Sequence, residues 1–89
     1  MIGDERRLDG NAAAGLLEEI FPFEMTMAYI RCADCAAIEP VGAEMAYMDA
    51  PGLVLRCVHC EGVLLTIVHG DGRYWLEMRG AVWLQIAAS

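Results

Sequence analysis

The first hydrophobic pattern in the chain predicts a short amphipathic helix near the N-terminus. Its apolar positions recur at the i, i+3, i+4 and i+7 spacing of one helix face: Ala13, Leu16, Leu17 and Ile20. Asp9 is placed to cap the helix at its start, and Pro22 ends it because the residue before a proline avoids the α region. We therefore expect a helix over residues 9–21, preceded by a disordered lead-in at residues 1–7.

After Pro22 the pattern becomes that of β-strands separated by turn residues. Apolar segments indicate strands at 24–31, 42–49, 53–57, 63–69, 73–79 and 82–87. Ala50-Pro51-Gly52 is typical of a turn, and His69-Gly70-Asp71-Gly72 is typical of a hairpin loop. The sequence thus predicts a mainly β chain that begins with one helix.

The two strands of this last hairpin differ in how their side chains alternate. In 73–79, Tyr74, Leu76 and Met78 share an apolar face, which is typical of a strand buried on one side. Strand 63–69 is apolar on both faces up to Val68, which is typical of a central strand that is covered on both sides. The helix is long enough to cover one face. The other face of the strand must be covered by the cysteine-bearing half of the fold, by the C-terminal segment or by a second subunit.

Four cysteines form two Cys-x-x-Cys pairs, Cys32 with Cys35 and Cys57 with Cys60, separated by 21 residues. This spacing is typical of zinc sites, in which two tight turns supply four thiolates at ~2.3 Å from the metal. Thiolate is a soft ligand, which excludes Mg²⁺ and Ca²⁺. A catalytic zinc keeps one position open, whereas four cysteines close the coordination shell, so we expect a structural zinc ion.

The residues around the two pairs repeat at an offset of 25 positions. Ile30-Arg31-Cys32-Ala33-Asp34-Cys35-Ala36-Ala37 parallels Leu55-Arg56-Cys57-Val58-His59-Cys60-Glu61-Gly62. In these paired knuckles, residues 28–80 resemble the zinc-ribbon class. With the predicted helix and a length of 89 residues, which allows one domain, we expect an α+β, mainly β single domain. Its N-terminal helix is expected to pack on a zinc-ribbon-type antiparallel sheet. Zinc ribbons often carry glycine after the second cysteine, where this chain has Ala36 and Glu61.

The whole chain also resembles a small bacterial zinc-ribbon family of unknown function. The resemblance is carried by Leu8-Asp9-Gly10-Asn11-Ala12, by the two knuckles and by Tyr74-Trp75-Leu76. It implies a helix followed by a zinc ribbon and implies no activity.

The charge of the chain limits its partners. Thirteen acidic residues against six basic ones give a net charge of −7. Four thiolates and one Zn²⁺ make this about −9, which argues against nucleic acid and against an anionic membrane. Arg31 and Arg56, each one residue before a knuckle, are placed to soften the local negative charge. With no signal-like segment at the N-terminus, we expect a cytoplasmic protein.

No arrangement typical of an enzyme accompanies the cysteines. His59 lies between two expected metal ligands and His69 beside the hairpin loop, and both are expected at the surface. A lone histidine is weak evidence of catalysis. The acidic residues are expected to form a solvated face: Asp34, Glu39, Glu44, Asp49 and Asp71. We therefore expect neither an enzyme nor a small-molecule substrate.

Surplus apolar residues favour a protein partner, either a second copy or another chain. The candidate interface residues are the following: Leu64, Val68, Trp75 and Trp83. The alternative function is electron transfer, since two Cys-x-x-Cys knuckles also hold one iron in rubredoxin-like carriers. The residues between the cysteines differ from those typical of rubredoxins, which favours zinc.

Overall fold

The computed structural model of the chain describes residues 7–49 and 52–87. Within them, the protein is mainly β, with one short α-helix and two antiparallel sheets, as the sequence predicts. The helix α1 spans Ala14–Ile20. The strands are β1 (Arg7–Asp9), β2 (Tyr29–Cys32), β3 (Ile38–Pro40), β4 (Met45–Asp49), β5 (Gly52–Arg56), β6 (Val63–Gly70), β7 (Arg73–Glu77) and β8 (Ala81–Gln85).

The strands divide into a five-stranded and a three-stranded sheet. The larger has the order β1-β4-β5-β6-β7, and the smaller has the order β3-β2-β8. The hairpin β2–β3 therefore belongs to one sheet and the hairpin β5–β6 to the other. This division matters for the site, because each hairpin carries one cysteine pair.

The predicted N-terminal helix is divided into two parts. A 3₁₀ turn over Gly10–Ala13 precedes α1, and the Asp9 carboxylate caps it by accepting a hydrogen bond from the Asn11 amide at 3.1 Å. Residues 1–6 of the predicted lead-in lie outside the described residues. Arg7 begins β1, which pairs with β4 and which the sequence did not predict.

Two predicted strands begin later than expected. The strand predicted at 24–31 starts only at Tyr29. A 3₁₀ turn over Met25–Met27 precedes it, and the Ala28 amide closes this turn by donating to the Met25 carbonyl at 3.1 Å. Residues 42–49 likewise begin with a 3₁₀ turn before β4. Residues 50 and 51 of the predicted turn lie outside the described residues, and the flanking Asp49 pairs with Gly52.

The core lies between α1 and the inner face of the larger sheet. Leu17 of the helix and the inward side chains of β5 and β6 are buried there in one cluster: Leu53, Leu55, Leu65 and Ile67. On the outer face of β6, Leu64 is fully buried but Val68 is 40% exposed. Within the described chain, the expected cover is therefore present at Leu64 but absent at Val68, where cover by a second subunit stays a prediction.

Strand β7 forms one edge of the larger sheet. Tyr74 on its inner face is half-buried, and the Tyr74 hydroxyl donates to the Glu19 carboxylate of α1 at 2.7 Å. Leu76 lies on the same inner face but remains 40% exposed, because no further strand pairs with β7 within the described part of the chain. The predicted alternation is thus correct, while the inner face is only partly covered at this edge.

Candidate metal centre

The first knuckle is the turn of the β2–β3 hairpin. Cys32 ends β2, and its carbonyl accepts the Ala36 amide at 3.0 Å. The Cys32 amide donates to the Ala37 carbonyl at 2.9 Å, which closes the turn. The Ala33 amide also donates to the Gly80 carbonyl at 2.8 Å, so this knuckle is tied to the segment before β8.

The second knuckle repeats this bonding between β5 and β6. The Cys57 carbonyl accepts the Glu61 amide at 2.8 Å, and the Cys57 amide donates to the Gly62 carbonyl at 2.8 Å. The 25-residue repeat in the sequence therefore corresponds to two turns with the same hydrogen bonds.

Both knuckles use left-handed backbone without glycine. Ala36 has φ 67° and Glu61 has φ 65°. These are the two positions where zinc ribbons often carry glycine, and a non-glycine residue costs roughly 1–2 kcal/mol in this conformation. The turns form despite that cost. Gly62 follows the second one, where a Cβ would lie 2.6 Å from the Asp34 carboxylate of the first knuckle.

The two knuckles bring the four sulfur atoms into one cluster. All four Sγ atoms lie within 4.8 Å of one another, and the closest contacts join opposite knuckles: Cys32 to Cys60 and Cys35 to Cys57, each at 3.6 Å. A disulfide would require about 2.05 Å, so these are free thiols. A tetrahedron with metal–sulfur bonds of ~2.3 Å has edges of about 3.8 Å. The cluster therefore has the size and donors that a tetrahedral, thiolate-binding metal ion requires.

The cluster combines buried and exposed thiols. Cys32 and Cys57 are buried, whereas Cys35 and Cys60 are exposed. The Cys57 sulfur accepts the His59 amide at 3.4 Å, and the Cys60 sulfur accepts the Gly62 amide at 3.4 Å. These amides supply partial positive charge that compensates a thiolate.

The thiol pKa values explain why the cluster suits a cation. Burial would raise the pKa of Cys32, but the amides of Cys35 and Asp34 outweigh it, so this pKa is lowered. Burial raises the pKa of Cys57 more than nearby amides lower it. For Cys60, the Gly62 amide lowers the pKa, but burial and the neighbouring thiols raise it to about 12. Four thiolates cannot form side by side unless a cation offsets their charge, and a bound metal supplies it.

The Arg56 side chain contacts the second knuckle. Its Nη1 donates to the Glu61 carbonyl at 2.9 Å, and its guanidinium lies 5.7 Å from the centre of the Tyr47 ring. Arg31 lies in β2 between Ile38 and Trp83 of the neighbouring strands. Its Nε is buried and has no hydrogen-bond partner among the described residues. Electrostatic support of the metal by either arginine stays a prediction.

Glu44 is the residue near the site that sequence reasoning missed. It was expected on a solvated face, but it is only 1% exposed, and its Oε1 accepts the Val58 amide of the second knuckle at 2.9 Å. Burial raises the pKa of Glu44, and the nearby Glu39 charge raises it further, whereas the Val58 amide lowers it. The pKa is raised overall. Glu44 directly precedes β4, whose Met45 pairs with Arg56 of β5, and this pairing brings Glu44 beside the second knuckle. No local sequence signal indicates that pairing.

Each histidine lies close to a neighbouring side chain. His59 Nε2 lies 2.7 Å from the Glu39 carboxylate, with the His59 side chain 50% exposed. The His69 ring stacks on Tyr74 with ring centres 4.3 Å apart. Both therefore make surface contacts, as expected from the sequence.

The structure separates the four candidate interface residues. Leu64 is fully buried in the core, so its prediction as an interface residue is wrong. Val68 and Trp75 are 40% and 50% exposed and lie opposite each other on β6 and β7, on the same outer face. Trp83 is half-buried in the other sheet. Only Val68 and Trp75 form a shared exposed surface.

Among the described residues, no helix is long and apolar enough to cross a membrane. The sequence matches a family of unknown function, DUF6510, over residues 4–89, and the chain belongs to that family. No curated protein and no solved structure matches it.

Proposed function

We propose that this member of the DUF6510 family is a non-enzymatic protein-interaction module whose two sheets are joined by one structural zinc ion. The observation that carries the proposal is the sulfur cluster, in which each knuckle supplies two thiols and each closest contact joins the two sheets. Four cysteine ligands close the shell of a tetrahedral metal, which suits a structural role.

The surroundings of the cluster also favour a structural role. His59 lies between Cys57 and Cys60, and its Nε2 is 2.7 Å from the Glu39 carboxylate. The cavity between α1 and the sheet is about 10 Å³. This volume holds about one water molecule, so the interior of the core has no room for a substrate.

Metal content tests the identity of the ion. The protein is expressed with zinc and iron both available, purified without chelators and assayed for metals and for visible absorbance. We expect one zinc per chain and a colourless protein without redox activity. One iron per chain with a reversible redox couple would instead support the rubredoxin-like electron carrier.

Substitution of the buried ligands tests the structural role. Cys32→Ser and Cys57→Ser each remove one thiolate from a different sheet, and the binding energy of structural zinc is coupled to folding. We expect both variants to lose native dispersion in the amide NMR spectrum. Met27→Ser is the control, because Met27 is 71% exposed and is not one of the four ligands. Native spectra for both cysteine variants would refute the structural role.

The charge supports a protein partner and argues against nucleic acid. The net charge of −7 favours a partner with a basic surface, which electrostatic attraction would bring to the acidic chain. Affinity for duplex or single-stranded nucleic acid at low salt would contradict the proposal. Free thiols fit a reducing compartment, so we place the protein in the cytoplasm.

A further inference from the structure

We infer that the exposed edge of β7 pairs with β7 of a second copy, in antiparallel orientation about a twofold axis at Trp75. This inference deepens the proposed function, on which it rests, by naming the partner of the interaction module. Its basis is an open strand edge whose charges complement themselves.

The backbone of β7 offers free hydrogen-bonding groups at this edge. The β6–β7 hairpin turns through Asp71 and Gly72, whose φ values of 53° and 70° identify a two-residue primed turn. Facing residues alternate between bonded and non-bonded pairs in an antiparallel ladder, starting with the bonded pair Gly70 and Arg73. The amides and carbonyls of Tyr74 and Leu76 therefore point away from β6. An exposed row of such groups is a template for another strand.

The free groups permit only certain registers between two copies. Tyr74 and Leu76 must lie opposite even-numbered residues for their backbone groups to bond. With Trp75 opposite Trp75 of the second copy, Tyr74 faces Leu76 of the second copy and each such pair exchanges two hydrogen bonds. The Trp75 pair then occupies a non-bonded position, where side chains approach most closely.

The charges along the strand select this register. Placing Trp75 at the centre sets Arg73 opposite Glu77 of the second copy, and this pair occurs twice in the dimer. A shift by one step sets Trp75 opposite Arg73 in one direction and opposite Glu77 in the other. Either shift therefore removes both pairs of opposite charge, which stabilise facing strands.

The remaining features of the edge agree with a second copy. Residues 71–79 carry two acidic and two basic side chains, so this segment is neutral in a chain of net charge −7. Trp75 and Leu76 are 50% and 40% exposed, and a strand beyond β7 would cover both. The Tyr74 hydroxyl bonded to Glu19 holds the edge against α1. Pairing with an unrelated strand would not require the charges of this segment to complement those of an identical segment.

The other sheet edges are less suited to this pairing. Strands β1 and β3 have three residues each, and β3 contains Pro40, which lacks an amide hydrogen. Strand β8 carries no charged residue between Ala81 and Gln85, so nothing along it selects a register. The geometry and the charges together point to β7.

Charge reversal tests the inference on the metal-loaded full chain by sedimentation velocity over a range of concentrations. Wild type is expected to show a monomer–dimer equilibrium. Arg73→Glu and Glu77→Arg each place two like-charged pairs in the dimer, so each is expected to weaken association by roughly tenfold or more. The double variant R73E/E77R restores opposite charges at both positions and is expected to associate as wild type does.

A mixture of the two single variants gives the sharpest readout. One chain then carries two acidic residues at positions 73 and 77 and the other carries two arginines, so the mixture is expected to form a mixed dimer more tightly than either variant alone. Glu18→Arg is the control for net charge, because Glu18 is exposed on α1 and makes the same charge change as E77R.

Two results would overturn the inference. One is a wild-type chain that stays monomeric at the highest concentration tested. The other is a dimer whose stability is unaffected by these charge reversals, which would point to another surface such as the β8 edge. Zinc content is measured on the same samples, so a monomer holding one zinc per chain would remove the inference and leave the structural metal intact.

Discussion

Single residues next to the cysteines determine how the second knuckle is held. Glu44 is buried and accepts the Val58 amide, while Arg56 donates to the Glu61 carbonyl on the other side of the same turn. Glu44 thus binds an amide, and Arg56 a carbonyl, of the four-residue segment between Cys57 and Gly62. The knuckle is therefore positioned by side chains outside the four ligands.

Glu44 provides a prediction with a defined pH dependence. Because its pKa is raised in the folded state, its contribution to stability is fully present at pH below about 4.3 and is lost as the pH rises through the folded value. Glu44→Gln keeps an acceptor for Val58 and does not ionise. We expect the unfolding free energy of E44Q, relative to wild type, to increase with pH in denaturant titrations of the metal-loaded protein.

The second Glu44 variant separates the hydrogen bond from the charge. Glu44→Ala removes the acceptor of a buried amide and is expected to cost about 1–3 kcal/mol relative to E44Q at every pH. The pH effects of the thiols and the metal are common to all three proteins, so they cancel in the differences. A difference between E44Q and wild type that does not change with pH would show that the carboxyl is ionised equally in both states.

The left-handed positions in the knuckles give a second prediction at this scale. Ala36→Gly and Glu61→Gly each remove a Cβ from backbone with φ near 65°. We expect each to raise the unfolding free energy by about 0.5–1 kcal/mol, since the relief of strain exceeds the added entropy of the unfolded chain. Ala12→Gly, in the N-terminal 3₁₀ turn, is the matched control and should destabilise. Equal losses at all three positions would contradict the strain argument.

At the scale of elements, the passage from β7 to β8 is one of the segments that carry the chain from one sheet to the other. Gly80 lies in this passage, and a Cβ there would be 1.6 Å from the Val63 carbonyl oxygen of β6. The Gly80 carbonyl also accepts the Ala33 amide of the first knuckle at 2.8 Å. This one glycine therefore sits where β6, the crossing segment and the first knuckle meet.

A pair of glycine substitutions tests the close approach. Gly80→Ala forces a Cβ into backbone atoms that cannot rotate away, and we expect it to cost about 3 kcal/mol or more of unfolding free energy. Gly70→Ala is the control, because nothing lies within 4 Å of the Cβ it would add. The two variants are compared by thermal unfolding. Equal shifts in Tm would refute the argument.

At the scale of the whole molecule, excess negative charge opposes the compact state. The net charge is −7, or about −9 with four thiolates and one zinc ion. Few basic residues offset it, so mutual repulsion among carboxylates acts over the whole surface. At physiological ionic strength the screening length is about 8 Å, which is shorter than the dimensions of the protein.

This repulsion predicts that added salt stabilises the metal-loaded protein. Between low and physiological NaCl concentrations, we expect the unfolding free energy to rise by about 1 kcal/mol, as measured by denaturant titration. The charge-neutralising variant Glu18→Gln should show a smaller rise. If stability does not depend on salt, local ion pairs such as Arg79 with Glu77 already offset the repulsion among the carboxylates.

The sequence predicts the parts of this protein whose signals are local. The spacing of the cysteines predicts the cluster, and the Asp71-Gly72 turn predicts the β6–β7 hairpin. Strands β1 and β3 were missed because three residues are too few for an alternating pattern. The burial of Glu44 was missed because a charged residue is usually solvated, and only the pairing of β4 with β5 brings its carboxylate to the Val58 amide.

The placement of one cysteine pair in each sheet has a kinetic consequence. Each knuckle closes through hydrogen bonds between residues at most five positions apart, so either hairpin is able to form early and offer two sulfurs. The second pair must then arrive across a long loop, whose closure costs entropy. Metal uptake should therefore proceed through a two-sulfur intermediate, and the slow step should be the meeting of the sheets rather than the first capture of the ion.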